Sequence, residues 1–289
     1  MGLLEATVLG LIQGLTEFLP ISSTAHLRIV PELLGWDDPG AAYSAVIQLG
    51  TVAAVLIYFR RDLLRLALAA LRSLRSRHPF ETTDSRLAWF VVLGTVPIGV
   101  AGLLFKHAIE TSLRSLYVIA ASLMALAVVL WIFERAASHR RTLDELMLRD
   151  GLVIGLWQCL ALIPGASRSG TTITGGLSLG LRREDAARYS FLLSVPATAL
   201  AGVFELRELL HATDRPSSAA LAVGTVVAFG SGTAAIAGLL RYLRTRTTAV
   251  FVVYRLLLGG ALLALLSTGV LHPRTGLPDA VTPAATRGG

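Results

Sequence analysis

The stretch Gly14–Arg28, which reads GLTEFLPISSTAHLR, lies inside a strongly apolar part of the chain. It nevertheless carries the carboxylate of Glu17, several hydroxyls, the imidazole of His26 and an arginine. Ionisable groups at membrane depth are energetically expensive, and by default they indicate function. A helix that only sits in lipid would not carry this load, so the stretch predicts a functional site within an apolar surrounding.

The chain as a whole has the composition of a helical membrane protein. Of its 289 residues, 54% are hydrophobic and only 16% are charged, whereas soluble domains have about 25% charged residues. Long apolar runs recur, each near the roughly 20 residues that span a bilayer core. We therefore predict an all-α polytopic membrane protein with one domain over 1–270. The Pro-, Gly- and Thr-rich segment 271–289 predicts a disordered tail.

Six apolar segments predict full membrane spans, and two further apolar stretches are interrupted. Proline and glycine break helices, and open backbone at membrane depth is tolerated only inside protein or along a wet cavity. The stretches 3–27, broken by LPISST, and 152–181, broken by IPGASRSG, therefore predict two re-entrant helical hairpins. The predicted spans are Ala42–Phe59, Leu87–Phe105, Leu116–Phe133, Tyr189–Leu206, Ala219–Leu240 and Ala249–Val270.

Arginine clusters set the expected orientation. The net charge of +7 comes mostly from arginines between apolar segments, which is the usual topology signal and does not indicate nucleic-acid binding. The segment 60–86, interpreted as a loop, contains seven arginines, and further groups follow Phe133, Leu181 and Leu240. The positive-inside tendency places all four groups in the cytoplasm, so the two hairpins are expected to enter from opposite faces.

Three ordered similarities predict an internal repeat with halves at about 1–135 and 150–270. GLIQGLTEFLPISST at 10–24 resembles GLWQCLALIPGASRS at 155–169, and AAYS at 41–44 resembles AARYS at 186–190. Farther on, GTVPIGVAGLL at 94–104 resembles GSGTAAIAGLL at 230–240. Combined with the arginine pattern, this predicts an inverted-topology repeat, which places a binding site where the two broken elements meet.

The first interrupted stretch offers acid–base and hydroxyl chemistry. Gln13 and Glu17 are four residues apart and share one helical face. Ser22, Ser23 and Thr24 then open a new helix, whose hydroxyls and free N–H groups can receive an anion. His26 follows Ser23 by three residues, within reach as a proton acceptor. Because serine is also a common helix cap, this pair alone is weak evidence for catalysis.

The second interrupted stretch, PGASRSGTT at 164–172, has the character of an anion site. Arg168 supplies a planar fork for two phosphate oxygens, and a turn rich in glycine and hydroxyls can cradle phosphate. The alternative is a helix-packing loop in which Arg168 pairs with Glu17. The candidate phosphate-binding residues around it are Gly165, Ser167, Ser169, Gly170 and Thr171.

Together the two motifs suit phosphoryl transfer. Arg168 would neutralise the phosphoryl group, a serine would attack or cap it, and His26 would move protons. Glu17 with Gln13 could hold a divalent cation on a diphosphate. The single cysteine, Cys159, and the lack of a nucleotide-type glycine fingerprint give no support to sulfur or flavin chemistry.

At these residues the sequence resembles the undecaprenyl-diphosphate phosphatase family, bacterial membrane enzymes associated with bacitracin resistance. The resemblance covers essentially the whole chain and is most specific in QGLTEFLPISSTAH at 13–26 and PGASRSGTT at 164–172. It implies that Gln13 and Glu17 meet the family's Glu/Gln-x-x-x-Glu pattern. It also implies that the family's reactive serine, histidine and arginine fall on Ser23, His26 and Arg168.

The resemblance further implies hydrolysis of an undecaprenyl diphosphate to the monophosphate and inorganic phosphate, with Mg²⁺ or Ca²⁺. It implies a site that opens to the outer face of the bacterial cytoplasmic membrane, among membrane lipids, and a homodimer. Two questions stay open at this point. Water could attack in place of Ser23, and inverted repeats with broken helices are also typical of transporters, so a flippase for a phosphorylated isoprenoid lipid is the alternative function.

Overall fold

The computed structural model describes residues 1–37, 40–211 and 217–271. Within these ranges the chain forms α-helices joined by short connections and contains no β-strand, which confirms the all-α prediction. The helices are α1 (Leu3–Phe18), α2 (Ser23–Leu34), α3 (Gly40–Tyr58), α4 (Arg60–Ser76), α5 (Thr83–Leu104), α6 (Lys106–Glu110), α7 (Leu116–Ala136), α8 (Leu148–Cys159), α9 (Arg168–Ser178), α10 (Arg183–His211), α11 (Ser218–Leu243) and α12 (Ala249–Ser267).

Four of these helices are long and apolar enough to cross a membrane, namely α5, α7, α11 and α12. A fifth span results if α3 and α4, which meet at an angle of 78°, are taken together. The chain is therefore an integral membrane protein with several apolar helices. The structure supports an all-helical protein with four or five apolar spans. The count of six spans and the two re-entrant hairpins stay predictions.

The two remaining predicted spans differ for identifiable reasons. Ala42–Phe59 corresponds to α3, but the chain does not leave the helical state after it, because the predicted loop 60–86 begins with the helix α4. Tyr189–Leu206 lies within α10, which is not among the four spanning candidates of the described chain. The side chains of α10 are described only as far as Leu200, so the last part of this predicted span lies outside the described side chains.

Both interrupted stretches form pairs of short helices, as their breaks predicted. The first pair is α1 and α2, and the second is α8 and α9; none of the four is longer than 16 residues. Each is shorter than the roughly 20 residues required to span a bilayer core. This length fits re-entrant hairpins, and their course through a bilayer stays a prediction.

Helix contacts relate the two halves of the chain. Helix α1 packs on α11, where a Cβ on Gly10 would collide with the carbonyl of Gly224, and α8 packs on α5, where a Cβ on Gly155 would collide with the carbonyl of Gly94. Since Gly10 and Gly155 match in the repeat, the contacts pair Gly94 with Gly224, and both begin the sequence Gly-Thr-Val. The sequence match that aligned Gly94 with Gly230 is therefore wrong, because it lies six residues away from the match that the helix contacts give. Gly- and Ala-rich sequence allows several alignments, whereas a close helix contact allows one.

The four arginine groups meet at one end of the molecule. Ion pairs connect the first group to the third, the second to the third, and the third to the fourth. All four therefore lie on one side, as the arginine pattern predicted, and the assignment of that side to the cytoplasm stays a prediction. The connecting pairs are Arg188–Asp62 at 2.8 Å, Arg183–Glu134 at 2.5 Å and Arg244–Glu184 at 2.8 Å.

The predicted tail 271–289 lies outside the described residues except for Leu271. That residue is buried and belongs to a cluster with Ile119, Leu262 and Leu266. The packed part of the chain therefore includes the first residue of the segment that the sequence assigned to the tail.

Candidate active site

Helix α1 brings two polar side chains to the interior of the protein. Gln13 and Glu17 are 2% and 6% exposed, and the Gln13 amide donates to Oε2 of Glu17 at 3.1 Å. The next residue, Phe18, packs edge-on against Phe191 of α10 with ring centroids 5.3 Å apart. This aromatic contact fixes the end of α1, so the carboxylate is held at the point where the helix breaks.

Glu17 is the centre of the polar cluster. Its Oε1 accepts from Arg168 at 2.7 Å and from Gln48 at 3.2 Å, and its Oε2 accepts from Ser23 at 2.8 Å as well as from Gln13. A carboxylate with four donors is fully hydrogen-bonded, which offsets the desolvation of a buried charge. The ion pair expected as the alternative use of Arg168 is thus present, within a larger site.

The two breaks have the same backbone form. Ser22 and Ser167, which precede α2 and α9, have positive φ angles of 73° and 69°, a conformation that non-glycine residues rarely adopt and that costs about 1–3 kcal/mol. Each serine hydroxyl caps its helix, accepting from Ala25 N–H at 3.4 Å and from Gly170 N–H at 3.2 Å. Strained backbone of this kind clusters at functional sites, and here it occurs at matching positions of the repeat.

Direct contacts join the two motifs. The hydroxyl of Ser169 donates to the carbonyl of Leu19 at 3.1 Å, and Arg168 reaches Glu17 across the same junction. The other terminal nitrogen of Arg168, Nη1, is buried and has no hydrogen-bond partner among the described residues. A buried, unpaired guanidinium nitrogen beside a cavity is a donor available to an anionic ligand.

A cavity of about 210 Å³ opens at this junction. Its polar lining includes seven of the predicted site residues, which come from both motifs. Serine, arginine and carboxylate therefore face one space, as predicted from the two interrupted stretches. These residues are Glu17, Ser22, Ser23, Thr24, Gly165, Ser167 and Arg168.

Other predicted site residues support the cavity without lining it. Gln13 contacts Glu17 from behind, Ser169 binds Leu19, and the hydroxyl of Thr171 donates to the carbonyl of Arg168 at 2.9 Å. Gly170 donates its N–H to the Ser167 cap. The phosphate-binding role predicted for Ser169, Gly170 and Thr171 has no geometric support here, because the two hydroxyls and the N–H groups of Gly170 and Thr171 hold the turn.

His26 lies outside the cavity and does not pair with Ser23. Its Nδ1 lies 2.7 Å from the carbonyl of Ser22, and its Nε2 lies 2.6 Å from the hydroxyl of Tyr254 on α12. A carbonyl only accepts, so Nδ1 carries a proton, and in the neutral ring Nε2 accepts from the tyrosine. The predicted transfer from Ser23 to His26 therefore has no hydrogen bond in this arrangement, and the acceptor for Ser23 is Glu17.

Sequence reasoning missed several residues of the site. Gln48 of α3 and Thr198 of α10 line the cavity, and no motif marked either one. Arg255 of α12 is fully buried, and its guanidinium donates to the carbonyls of Leu123 at 3.1 Å and Ala166 at 3.0 Å. It thereby ties the turn before Arg168 to α7. An available signal was an arginine in the apolar run 249–266.

The arrangement does not fit a divalent cation held by Glu17 and Gln13. Both oxygens of Glu17 already accept hydrogen bonds, one of them from a guanidinium, and Gln13 presents its amide donor to the carboxylate. Among the described residues, no group of three or more His, Cys, Asp or Glu side chains could hold a metal. Mg²⁺ and Ca²⁺ prefer several oxygen ligands, and these two side chains do not leave such a set of oxygens free.

Comparison with known proteins gives consistent matches across the chain. The model of the family described as "Bacitracin resistance protein BacA" matches residues 6–261, which include both motifs. The undecaprenyl-diphosphatase of Myxococcus xanthus (strain DK1622) is 68% identical over 283 residues, covering 98% of this chain and 95% of that protein. The undecaprenyl-diphosphatases of Chloroherpeton thalassium and Chlorobium chlorochromatii are 55% and 51% identical; each match covers 94% of this chain, and 99% and 100% of those proteins.

Proposed function

The chain belongs to the bacitracin resistance protein BacA family, and from that premise we propose that it hydrolyses undecaprenyl diphosphate to the monophosphate and inorganic phosphate. Such a hydrolase recycles a lipid carrier for cell-wall synthesis. The observation that carries the proposal is the junction of the two motifs, where Ser23, Glu17 and Arg168 meet in one cavity with a guanidinium nitrogen left unpaired. The flippase alternative is not favoured by the names of the relatives.

In the proposed reaction, the Oγ of Ser23 attacks the terminal phosphorus and passes its proton to Oε2 of Glu17, 2.8 Å away. The P–O bond to the bridging oxygen breaks, and the lipid monophosphate leaves with that oxygen. Water then attacks the phosphoserine and releases inorganic phosphate. Nη1 of Arg168 binds the oxygens of the transferring phosphoryl group, whose charge it stabilises. Direct attack by water, with Ser23 as a phosphate ligand, is the competing form.

The proposed setting is the bacterial inner membrane, with the cavity facing the outer side and the arginine-rich end in the cytoplasm. The convergence of all four arginine groups supports this orientation through the positive-inside tendency. A homodimer remains part of the proposal. Dependence on Mg²⁺ or Ca²⁺ also remains a prediction; since the side chains fit no resident metal, the proposed source of the cation is the substrate, whose diphosphate would carry it.

The test of function is phosphate release by the purified full-length protein in detergent, where no transport is possible. Polyprenyl diphosphates of several chain lengths are compared, each with Mg²⁺ and with chelator. We expect release in the presence of Mg²⁺ and accumulation of ³²P on Ser23 when the reaction is quenched in acid with terminally labelled substrate. Folded protein that releases no phosphate from any chain length would contradict the hydrolase. Rapid release without a phosphoserine would favour direct attack by water.

Tyr254 supplies a second test, because its hydroxyl holds His26. The Tyr254→Phe variant keeps the stacked rings, whose planes differ by 7°, and removes the 2.6 Å hydrogen bond. The other ring nitrogen of His26 holds the carbonyl of Ser22, the residue before Ser23, so misplacing the ring disturbs the turn that carries Ser23. Loss of a hydrogen bond of about 1–1.5 kcal/mol corresponds to roughly a tenfold fall in kcat. The matched control is Tyr117→Phe, on an exposed tyrosine of α7.

The measurements for Tyr254→Phe are kcat, thermal stability and the ¹⁵N chemical shifts of the His26 ring. We expect kcat and the Nε2 shift to change in this variant only, with stability close to that of the parent. An unchanged kcat together with a changed Nε2 shift would show that the hydrogen bond exists but serves no catalytic purpose.

A further inference from the structure

Helix α4 has three distinct faces. One face packs against α5 through buried Leu66 and Ser73, and the indole of Trp89 donates to the Ser73 hydroxyl at 3.0 Å. Leu66 and Ser73 are seven residues apart, or about two helical turns, so they lie on one line along the helix. The remaining two faces of α4 are exposed on the described chain.

The second face is a leucine stripe. At 100° per residue, its four members fall within about 120° of one another on the helix surface. Their exposure is high for leucine, and exposed apolar patches of this kind mark an interaction site. The stripe consists of Leu64, Leu68, Leu71 and Leu74, which are 62%, 43%, 63% and 58% exposed.

The third face is basic and borders the leucine stripe. Arg61 and Arg72 project from this side of α4, whereas Arg75 lies among the leucines, between the angular positions of Leu64 and Leu68. All three arginines are exposed, and the long side chain of Arg75 can extend from the stripe to the headgroup level. Within the described chain, their side chains form no recorded hydrogen bond or ion pair; Arg65, on the same face, is engaged with Asp62 and Asp84. A helix with a leucine face beside arginines is typical of helices that lie in the membrane interface.

The direction of α4 agrees with such a position. It turns by 78° from α3 at Phe59, so a helix that follows an upright α3 runs nearly parallel to the membrane plane. Phe59 is itself buried in the core of the protein, which fixes the corner. The turn brings the leucine stripe to the level where the apolar α3 ends.

We propose that α4 is an interfacial helix that binds the anionic phospholipid surface, with its leucine stripe in the acyl region and Arg61, Arg72 and Arg75 on headgroup phosphates. Charge complementarity selects this occupant, because basic side chains near an anionic leaflet each favour binding roughly fivefold. A second copy of the chain fits less well. In a two-fold symmetric contact the same patch faces itself, so the three arginines would meet their own copies.

The first experiment measures the depth of the leucine stripe in the full-length protein. In a Cys159→Ser background, single cysteines replace Leu71 or Ser76, are spin-labelled, and are compared in nanodiscs of phosphatidylglycerol. Ser76 is the matched control, since it is exposed and lies about 140° from Leu71 on the same helix. We expect the label at position 71 to be accessible to oxygen and protected from a water-soluble nickel reagent, with the opposite pattern at position 76.

The second experiment tests the charge contribution. In the combined Arg61→Gln, Arg72→Gln and Arg75→Gln variant, we expect the preference of bound spin-labelled lipid for phosphatidylglycerol over phosphatidylcholine to fall at least threefold. Phosphate release should stay within about twofold of the parent, because none of the three residues lines the cavity. Equal nickel access at positions 71 and 76, an unchanged lipid preference, or cross-linking of Leu71→Cys between two copies would each overturn the proposal.

Discussion

Replacing Arg168 by alanine is expected to lower the turnover of each folded molecule by about 10³-fold or more. An arginine that stabilises a transferring phosphoryl group is worth roughly 10³–10⁵ in rate, and the unpaired Nη1 of Arg168 is the guanidinium donor aimed at that position. Arg168→Lys should restore little of the loss, since one ammonium cannot both pair with Glu17 and grip phosphate as a planar fork does.

The same substitution also destabilises the protein, so activity is normalised to the folded fraction. Arg168 and Glu17 have side chains that are 13% and 5% exposed, and breaking a buried pair of this kind costs about 3–5 kcal/mol. The matched control is Arg183→Ala, which breaks the part-buried Arg183–Glu134 pair outside the cavity. It should lower thermal stability while turnover per folded molecule stays near normal. A similar turnover loss in both variants would remove Arg168 from the catalytic site.

The second large effect is expected for Glu17→Gln, with a loss of about 10²–10⁴-fold in kcat, the usual contribution of a general base. The amide preserves size, but it cannot take the proton of Ser23 and leaves Arg168 without its counterion. Glu5→Gln on the same helix is the control, since the carboxylate of Glu5 accepts a hydrogen bond from the backbone N–H of Gly2 and lies outside the cavity. It should change kcat by less than about twofold.

A double-variant cycle separates stability from catalysis. Glu17→Gln combined with Arg168→Ala removes both charges, so the unfolding free energy should partly recover relative to Arg168→Ala, because an uncompensated buried charge is gone. Turnover should not recover with it. Recovery of both quantities together would mean that Glu17 and Arg168 serve the fold and that the chemistry resides elsewhere.

The composition of this site was predictable because its parts are locally visible. Glu17 and Arg168 stand out as charges in apolar stretches, and Pro20 and Pro164 mark the breaks that follow or precede them. Their meeting was predictable from the repeat, because matching breaks in two halves of one fold approach a common centre. The observed contact between Glu17 and Arg168 agrees with that inference.

Other features depend on contacts that leave no local pattern. The partner of His26 is Tyr254, 228 residues away, and the spacing of Ser23 and His26 suggested a nearer one. Hydropathy does not report direction, so it could not distinguish a straight continuation of α3 from the turn into α4. Gln48 looks like a single polar residue in an apolar helix, and its role became apparent only from its bond to Glu17.

The distance along the chain between Glu17 and Arg168 also has a consequence for biosynthesis. The two residues are 151 positions apart, and ribosomes add about 5–20 residues per second. Roughly 8–30 seconds therefore pass between the synthesis of Glu17 and the synthesis of its counterion. During that interval the pair of α1 and α2 holds a carboxylate with only neutral donors from its own half of the chain, so its stable packing depends on the later pair of α8 and α9. Truncated nascent chains that end before Arg168 should accordingly be preferred targets of membrane proteases. A half-length product would lack the cavity residues that the second motif contributes.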